Sequence, residues 1–180
     1  MIVYPSHRGI DIPNGAGYLP HVLYHLVRYK FVKGFIKPTD EIMDIACGTG
    51  YGTRMLSDYC KKAVGIDINK DTIDYAIKNY GGENREYHQG NIINIKGQYD
   101  IISCFETIEH INKEEGILAI NNLKKCLKPN GILFISTNRK PIKYKFYCNP
   151  FVEYNNDPTL LKYMEFLNSK AALDRILSTK

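Results

Sequence analysis

The chain has 180 residues, the length of one ordinary domain, and 44% of them are hydrophobic, which is enough for a substantial core. The formal net charge of +5 is spread along the chain rather than gathered in runs, so we predict no nucleic-acid partner. The five cysteines are odd in number and include no CxxC pair, which argues against a disulfide framework and against a zinc site. We therefore predict reduced thiols, no bound metal and a cytoplasmic location.

The first 17 residues are rich in glycine, proline and polar residues, and they lack the apolar core of a signal peptide. The longest helix-like stretch, 18–36, carries Arg28, Lys30 and Lys33, so we predict that it does not span a membrane.

Hydrophobic periodicity predicts four helices and five strands between residues 19 and 138. The helices are expected at 19–35, 53–61, 70–80 and 113–127. The strands are expected at 41–47, 63–68, 85–91, 99–105 and 131–138. This alternation predicts an α/β fold with a doubly wound, mostly parallel sheet. Ligands of such sheets bind at the carboxyl ends of the strands.

The stretch DIACGTGYGT (44–53) ends the first predicted strand and therefore lies where a ligand is expected. Its three glycines, at 48, 50 and 52, let a backbone turn approach a ligand closely. Three ligand types use such turns. A phosphate-binding P-loop requires a lysine directly after its last glycine, and no lysine lies between 41 and 60, so this type is rejected.

Two ligand types remain. A dinucleotide turn reads GxGxxG and needs an acidic residue for the ribose; Asp67 supplies the acid 19 residues after Gly48, but Thr53 stands at the third glycine position. S-adenosylmethionine also contains a ribose, but it carries a positive sulfonium and no phosphate. Asp44 precedes the turn and no basic residue follows until Arg54, which favours a cationic ligand. Alternatively, the Asp44 carboxylate accepts hydrogen bonds from backbone amides of the loop.

Four segments resemble, in order, the motifs of class I S-adenosylmethionine-dependent methyltransferases of the methyltransferase-11/25-like group: IMDIACGTGYGTRML, VGIDINKDTIDYA, YDIISCFETIEHI and LKPNGILFISTN. ACGTGYG together with FETIEH is similar to a subgroup linked to O-methylation of glycans, lipopolysaccharides and other small molecules. The resemblance implies a Rossmann-like methyltransferase fold and S-adenosylmethionine as cofactor, with S-adenosylhomocysteine as product. It also implies one domain, 1–180, made of an N-terminal arm and helix (1–36), a cofactor-binding core (41–138) and a shortened C-terminal section (139–180).

The resemblance implies cofactor contacts for nine residues: Asp44, Ala46, Gly48 and Gly50 along the methionine part, Asp67 at the ribose, Ile68, Asn91 and Ile92 at the adenine, and Phe105 after the fourth strand. The family usually has aspartate in place of Asn91, whose amide oxygen can still accept a hydrogen bond.

The resemblance further implies a small-molecule acceptor, for example a sugar or glycan precursor, with oxygen as the nucleophile. Deprotonation of a hydroxyl requires a base, and His110 is the natural candidate near neutral pH. Glu106 is implied to face the acceptor as well, whereas Glu109 is interpreted as a helix-start or loop contact.

The family's sheet has seven strands, but the 42 residues after Asn138 show a helical pattern and no convincing pair of strands. The fifth strand would then form an exposed sheet edge, which we expect the C-terminal helix or a second copy of the chain, in a homodimer, to cover.

Three other functions stay open at this point. The short C-terminal section would suit a cofactor-binding module without catalysis. Gly48, Gly50 and Asp67 would suit a nicotinamide-dependent oxidoreductase, and the positive net charge alone would suit a nucleic-acid methyltransferase.

Overall fold

A computed structural model describes the backbone of residues 19–136 and the side chains of residues 25–108 and 110–136. The predicted N-terminal arm, the C-terminal helix and the shortened final strands lie outside the described residues.

The described chain alternates helices and strands. The helices are α1 (Leu19–Lys33), α2 (Tyr51–Ser57), α3 (Lys70–Tyr80) and α4 (Lys113–Lys125). The strands are β1 (Glu41–Ile45), β2 (Lys62–Asp67), β3 (Arg85–Gln89), β4 (Tyr99–Phe105) and β5 (Leu127–Ser136), and a short 3₁₀ turn covers Ile108–His110. Every helix and strand predicted between 19 and 136 is present.

Several predicted boundaries differ from the structure, most of all those of α2 and β5. Helix α2 begins at Tyr51 rather than 53 and ends at Ser57 rather than 61, because the left-handed backbone of Gly50 already completes the turn. Strand β5 begins at Leu127 rather than 131. The Pro-Asn-Gly sequence at 129–131 was interpreted as a helix terminator, but it lies in an irregular part of β5. There Asn130 takes a φ of +65°, which asparagine tolerates better than most residues.

The five strands form one parallel sheet in the order β3-β2-β1-β4-β5, as the doubly wound prediction required. Strand order reverses at β1, since the chain builds outward through β2 and β3 and then returns to add β4 and β5. Ligands of doubly wound sheets bind at this reversal, outside the carboxyl ends of the strands. Within the described part of the chain, β5 pairs with β4 alone.

Helices cover both faces of the sheet. Helix α4 packs on one face, where Leu123 joins alternate residues of the central strands, among them Met43 and Ile102. Helices α1 and α2 pack on the other face, where Val32 and Leu56 contact the cluster around Phe134. Helix α3 covers Tyr87 of β3 on that second face. None of the described helices is long and apolar enough to cross a membrane.

Gly65 of β2 is needed for the packing of the second face. It pairs with Asp44 on one side and with Tyr87 on the other. A Cβ atom at this position would lie 2.6 Å from Tyr87 Cδ1 and 2.8 Å from Thr53 Oγ1, which is closer than side chains pack. The missing side chain therefore makes room for the Tyr87 ring and for helix α2.

We expect Gly65→Ala to lower the free energy of unfolding by about 1–3 kcal/mol, because the added methyl group overpacks this face. Gly34→Ala is the matched control: its Cβ would meet no heavy atom closer than 3.4 Å, at Phe31 O. We expect the control to leave stability unchanged or slightly raised. Urea unfolding followed by circular dichroism measures both, and equal losses in the two variants would contradict the packing argument.

Candidate active site

The glycine-containing turn joins β1 to α2 and has an unusual backbone. Three of its residues take positive φ angles: Ala46 (57°), Gly48 (54°) and Gly50 (83°). Two hydrogen bonds hold the turn, from the Cys47 N–H to Ile66 O (3.1 Å) and from the Gly50 N–H to Cys47 O (3.0 Å). The first of these bonds fixes the turn to the neighbouring strand β2.

Gly48 and Gly50 have different surroundings. A Cβ atom on Gly50 would lie 2.6 Å from Tyr87 Cε1 and 2.7 Å from Ala76 Cβ, and the Tyr87 hydroxyl donates to Gly50 O at 3.0 Å. Gly50 is therefore required for packing inside the protein. A Cβ atom on Gly48 would meet no atom within 4 Å. Gly48 thus borders open space, where a ligand can approach the backbone.

Asp67, the last residue of β2, connects two turns at this edge of the sheet. One carboxylate oxygen accepts the Gly48 N–H at 2.8 Å, and the other accepts the Asn69 N–H at 2.9 Å. The group is half-buried, and each carboxylate oxygen can accept a further hydrogen bond. The next side chain, Ile68, is 65% exposed, so a carboxylate and an apolar surface stand side by side.

Asp44 lies beneath the turn and is only 1% exposed. Its carboxylate accepts from Ser103 Oγ at 2.6 Å, from Thr53 Oγ1 at 2.8 Å and from the Tyr29 hydroxyl at 3.2 and 3.3 Å. Backbone amides were the alternative partners proposed from the sequence, but the donors are side-chain hydroxyls from α1, α2 and β4. Burial raises the pKa of Asp44 from 3.8 to about 6, although the three hydrogen bonds act to lower it, and the nearby Asp67 charge adds to the rise.

The segment after β3 returns to the end of β2, where the Gly90 N–H donates to Asp67 O at 2.9 Å. The side-chain oxygen of Asn91 accepts the Ile93 N–H at 3.1 Å, which keeps Asn91 at this edge. The side chain of Ile92, the next residue, is buried and packs in the core cluster that α4 also joins.

Phe105 and Glu106 end β4. Phe105 is buried, and its ring meets the Tyr29 ring edge-on at 5.2 Å between centroids. Glu106 takes a positive φ of 50°, and its carboxylate lies 2.8 Å from Arg28 Nη2 and accepts from Ser136 Oγ at 2.9 Å. The backbone N–H of Glu106 also donates to Ser136 O at 2.9 Å. Helix α1 and strand β5 therefore both hold Glu106.

His110 ends the 3₁₀ turn after β4 and is exposed, whereas Ile108 of the same turn is fully buried. The side chain of residue 109 lies outside the described residues. Among the residues that the structure describes, no three His, Cys, Asp or Glu side chains gather as a metal site would require.

Five residues at this site were not predicted: Arg28, Tyr29, Thr53, Ser103 and Ser136. The buried hydroxyls carried a partial signal, because Ser103 is a polar residue within the apolar strand β4 and pairs in register with Asp44. Tyr29 was interpreted as a packing residue of its helix. Arg28 carried no signal, since only the docking of α1 brings it to Glu106.

Fold and site together define a class of protein: a doubly wound α/β domain with a glycine turn after β1 and a ribose-type acid after β2, as in proteins that bind adenosine-containing cofactors. Residues 43–135 match the family model described as a methyltransferase domain. The chain therefore belongs to this family of class I S-adenosylmethionine-dependent methyltransferases, as its motifs predicted.

Curated relatives share part of this chain. Over 149 residues it is 30% identical to a ubiquinone biosynthesis O-methyltransferase of Coxiella burnetii, covering 78% of this chain and 62% of that protein. Over 108 residues it is 31% identical to an uncharacterized methyltransferase of Schizosaccharomyces pombe, covering 53% of this chain and 37% of that protein. The chain thus spans less than two thirds of the length of these relatives.

Solved structures share the fold. The YcgJ protein of Bacillus subtilis superposes with a TM-score of 0.57 at 21% identity, covering 82% of this chain and 56% of that one. The N-methyltransferase NodS of Bradyrhizobium japonicum was solved with S-adenosylhomocysteine. It superposes with a TM-score of 0.56 at 20% identity, covering 68% of this chain and 63% of that one. These likenesses confirm the Rossmann-like methyltransferase fold.

The raised pKa of Asp44 makes the stability of the protein depend on pH. Because the folded state binds this proton more tightly than the unfolded state, the contribution to stability is present below pH 3.8 and is lost as pH rises through about 6. We expect the stability of the wild type, relative to Asp44→Asn, to fall by about 2–3 kcal/mol between pH 4 and pH 7. Urea unfolding of both proteins at several pH values measures this difference in the free energy of unfolding. The pH dependence contributed by carboxylates that do not interact with Asp44 is the same in both proteins and cancels in the difference. A difference that does not change with pH would contradict the assignment.

Proposed function

We propose that this chain binds S-adenosylmethionine at the carboxyl ends of β1, β2 and β4 and transfers its methyl group to a hydroxyl oxygen of a small molecule. The observation that carries the proposal is the position of Asp67. Its carboxylate is held between the N–H groups of Gly48 and Asn69, at the edge of the open space over Gly48.

The residues at this edge suit an adenosine group. The Asp67 carboxylate retains acceptor capacity for a pair of ribose hydroxyls. The exposed Ile68 side chain offers an apolar surface for the adenine, and Asn91 lies at the same edge as a polar residue. Gly48 leaves room for the ligand beside the turn. Ala46 belongs to the same turn, whereas Gly50 and Phe105 support the site from inside the protein.

The charge of the site favours a cation over a pyrophosphate. Asp44 lies under the turn, Asp67 lies beside it, and the charge of Asp67 acts on Asp44. The nearest basic residue along the chain, Arg54 of α2, is paired with Asp58, which directly follows that helix. A sulfonium ion gains from this negative field, whereas a pyrophosphate would be repelled. Thr53 stands at the third glycine position of a dinucleotide turn and donates its hydroxyl to Asp44, so this position departs from the dinucleotide pattern.

Bound S-adenosylmethionine supplies a methyl group on a positive sulfur that leaves as a neutral thioether. The protein must therefore align the acceptor and remove its proton. His110 is the better base of the two predicted catalytic residues, because its side chain is exposed on the β4 side of the site. Glu106 is ion-paired with Arg28, and protonating it would weaken that pair. We assign proton removal to His110 and acceptor positioning to Glu106.

A hydroxyl acceptor is supported by the relatives named ubiquinone biosynthesis O-methyltransferases, among them the Coxiella burnetii protein. A sugar or glycan hydroxyl, inferred from the motif resemblance, falls within the same chemistry. The N-methyltransferase NodS shares the fold, so a nitrogen acceptor is the alternative that activity assays must separate.

The cofactor site is tested by calorimetric titration of S-adenosylhomocysteine into the wild type, Asp67→Ala and the matched control Asp74→Ala. Asp74 is an exposed acid on α3 paired with Lys70. We expect Asp67→Ala to weaken binding by about 10- to 100-fold, because hydrogen bonds to a carboxylate are lost, and the control to bind like the wild type. Binding of NADH without binding of S-adenosylhomocysteine would instead identify an oxidoreductase.

The role of His110 is tested by S-adenosylhomocysteine formation from S-adenosylmethionine with a panel of small phenols, catechols, sugars and amines. With a hydroxyl acceptor we expect His110→Ala to lower turnover by about 100-fold, with cofactor affinity unchanged. His88→Ala, an exposed histidine on β3 beside Glu86, is the control. Unchanged turnover in His110→Ala would contradict the assignment, and cofactor binding without turnover would identify a non-catalytic module.

A further inference from the structure

Two consecutive residues of α1 reach two buried acids at the ends of neighbouring strands. The Arg28 guanidinium lies 2.8 Å from the Glu106 carboxylate after β4. The Tyr29 hydroxyl donates to the Asp44 carboxylate on β1. All four side chains are buried. One turn of one helix thus contacts both the cofactor half and the acceptor half of the proposed site.

Tyr29 also packs against the segment that follows the glycine turn. Its ring meets the Tyr51 ring edge-on at 5.7 Å between centroids and the Phe105 ring at 5.2 Å. It lies directly over Gly52, where any Cβ atom would collide with the ring. Gly52 therefore leaves the space in which the Tyr29 ring packs against the first turn of α2, directly after the glycine turn.

Arg28 contacts a residue whose backbone is held in an unfavourable region. Glu106 has a φ of +50°, a value that residues other than glycine rarely adopt. A residue keeps such a backbone conformation only when the surrounding structure enforces it. The surroundings include the Arg28 ion pair and two hydrogen bonds to Ser136. The ion pair is thus one of three interactions that hold Glu106 at the start of the segment leading to His110.

We propose that Arg28 and Tyr29 are positioning residues of the methyl-transfer site, with Tyr29 holding the glycine turn through Asp44 and Arg28 holding the acceptor side through Glu106. This inference rests on the proposed function for its catalytic meaning. Packing alone does not require these polar groups, since phenylalanine fills the volume of tyrosine and apolar residues often replace a buried ion pair without loss of stability. The polar groups instead specify where the two carboxylates lie.

The first experiment measures the opening of the turn without any ligand. Cys47 lies within the turn, Cys104 within β4 and Cys126 at the end of α4, and all three are at most 3% exposed. Labelling with iodoacetamide, quantified for each cysteine by peptide mass spectrometry, therefore separates local from global opening. In Tyr29→Phe we expect Cys47 to react about tenfold faster while Cys126 is unchanged, because a hydrogen bond to the carboxylate beneath the turn is lost.

Tyr59→Phe is the matched control, since that ring is 40% exposed and contacts Lys33 only through its face. We expect it to leave all three labelling rates unchanged. Equal acceleration of Cys47, Cys104 and Cys126 in Tyr29→Phe would show a merely structural role and overturn the assignment of Tyr29, as would unchanged labelling of Cys47.

The second experiment separates the two halves of the site. We expect Tyr29→Phe to weaken S-adenosylhomocysteine binding by about tenfold. Arg28→Met should leave that binding unchanged and lower turnover by at least about tenfold, with partial recovery in Arg28→Lys, which keeps the charge. If Arg28→Met does not fold, Arg28→Met with Glu106→Gln removes both charges and restores folding. Wild-type turnover in Arg28→Met would overturn its assignment.

If the proposed function is wrong, the wild type itself binds no S-adenosylhomocysteine, a result that differs from every outcome described above. The labelling of Cys47 in the ligand-free protein still decides whether Tyr29 holds the turn.

Discussion

The structure depends on the burial of the Asp44 carboxylate at the centre of the sheet. A buried charge is costly unless it is hydrogen-bonded, and here three hydroxyls from Tyr29, Thr53 and Ser103 satisfy it. These donors belong to α1, α2 and β4, while the carboxylate belongs to β1. Four elements must therefore dock together before this group is satisfied. The interaction consequently specifies one arrangement of the helices over the sheet, including the start of α2 directly after the glycine turn.

The same carboxylate relates the core to the proposed chemistry. It lies beneath a turn whose N–H groups are fixed by β2 through Ile66 O and Asp67. Asp44 and Asp67 create a negative environment around the turn, where the charge of Asp67 acts on Asp44. A ligand that combines a ribose with a positive centre suits these surroundings better than a phosphate does. Stability and the proposed ligand preference are thus related, since the buried Asp44 charge lowers stability near neutral pH and would also attract a cation.

Much of the fold could be predicted from the sequence because its patterns are local. The apolar strands and the amphipathic helices follow from periods of two and about 3.6 residues, and their alternation implies a parallel sheet. The predicted boundaries were less accurate where proline and glycine lie within a strand instead of ending a helix, as at 129–131 inside β5. Ile92 shows the related ambiguity in the site, because an apolar residue beside a motif suits a ligand surface and a core equally well until packing is known.

The sequence by itself determined the sheet class, the glycine turn, the acidic residue Asp67 at the end of β2 and the membership of the methyltransferase family, since each depends on residues that are close along the chain. Only the tertiary structure decided which groups surround the two buried acids. Ser103 lies 59 residues from Asp44 and Tyr29 lies 15 residues from it, so no periodic pattern relates them. Arg28 and Glu106 are related only by the docking of α1 across the ends of β1 and β4. Such contacts arise because burying each carboxylate requires a partner, and only the packed helices bring that partner within hydrogen-bonding distance.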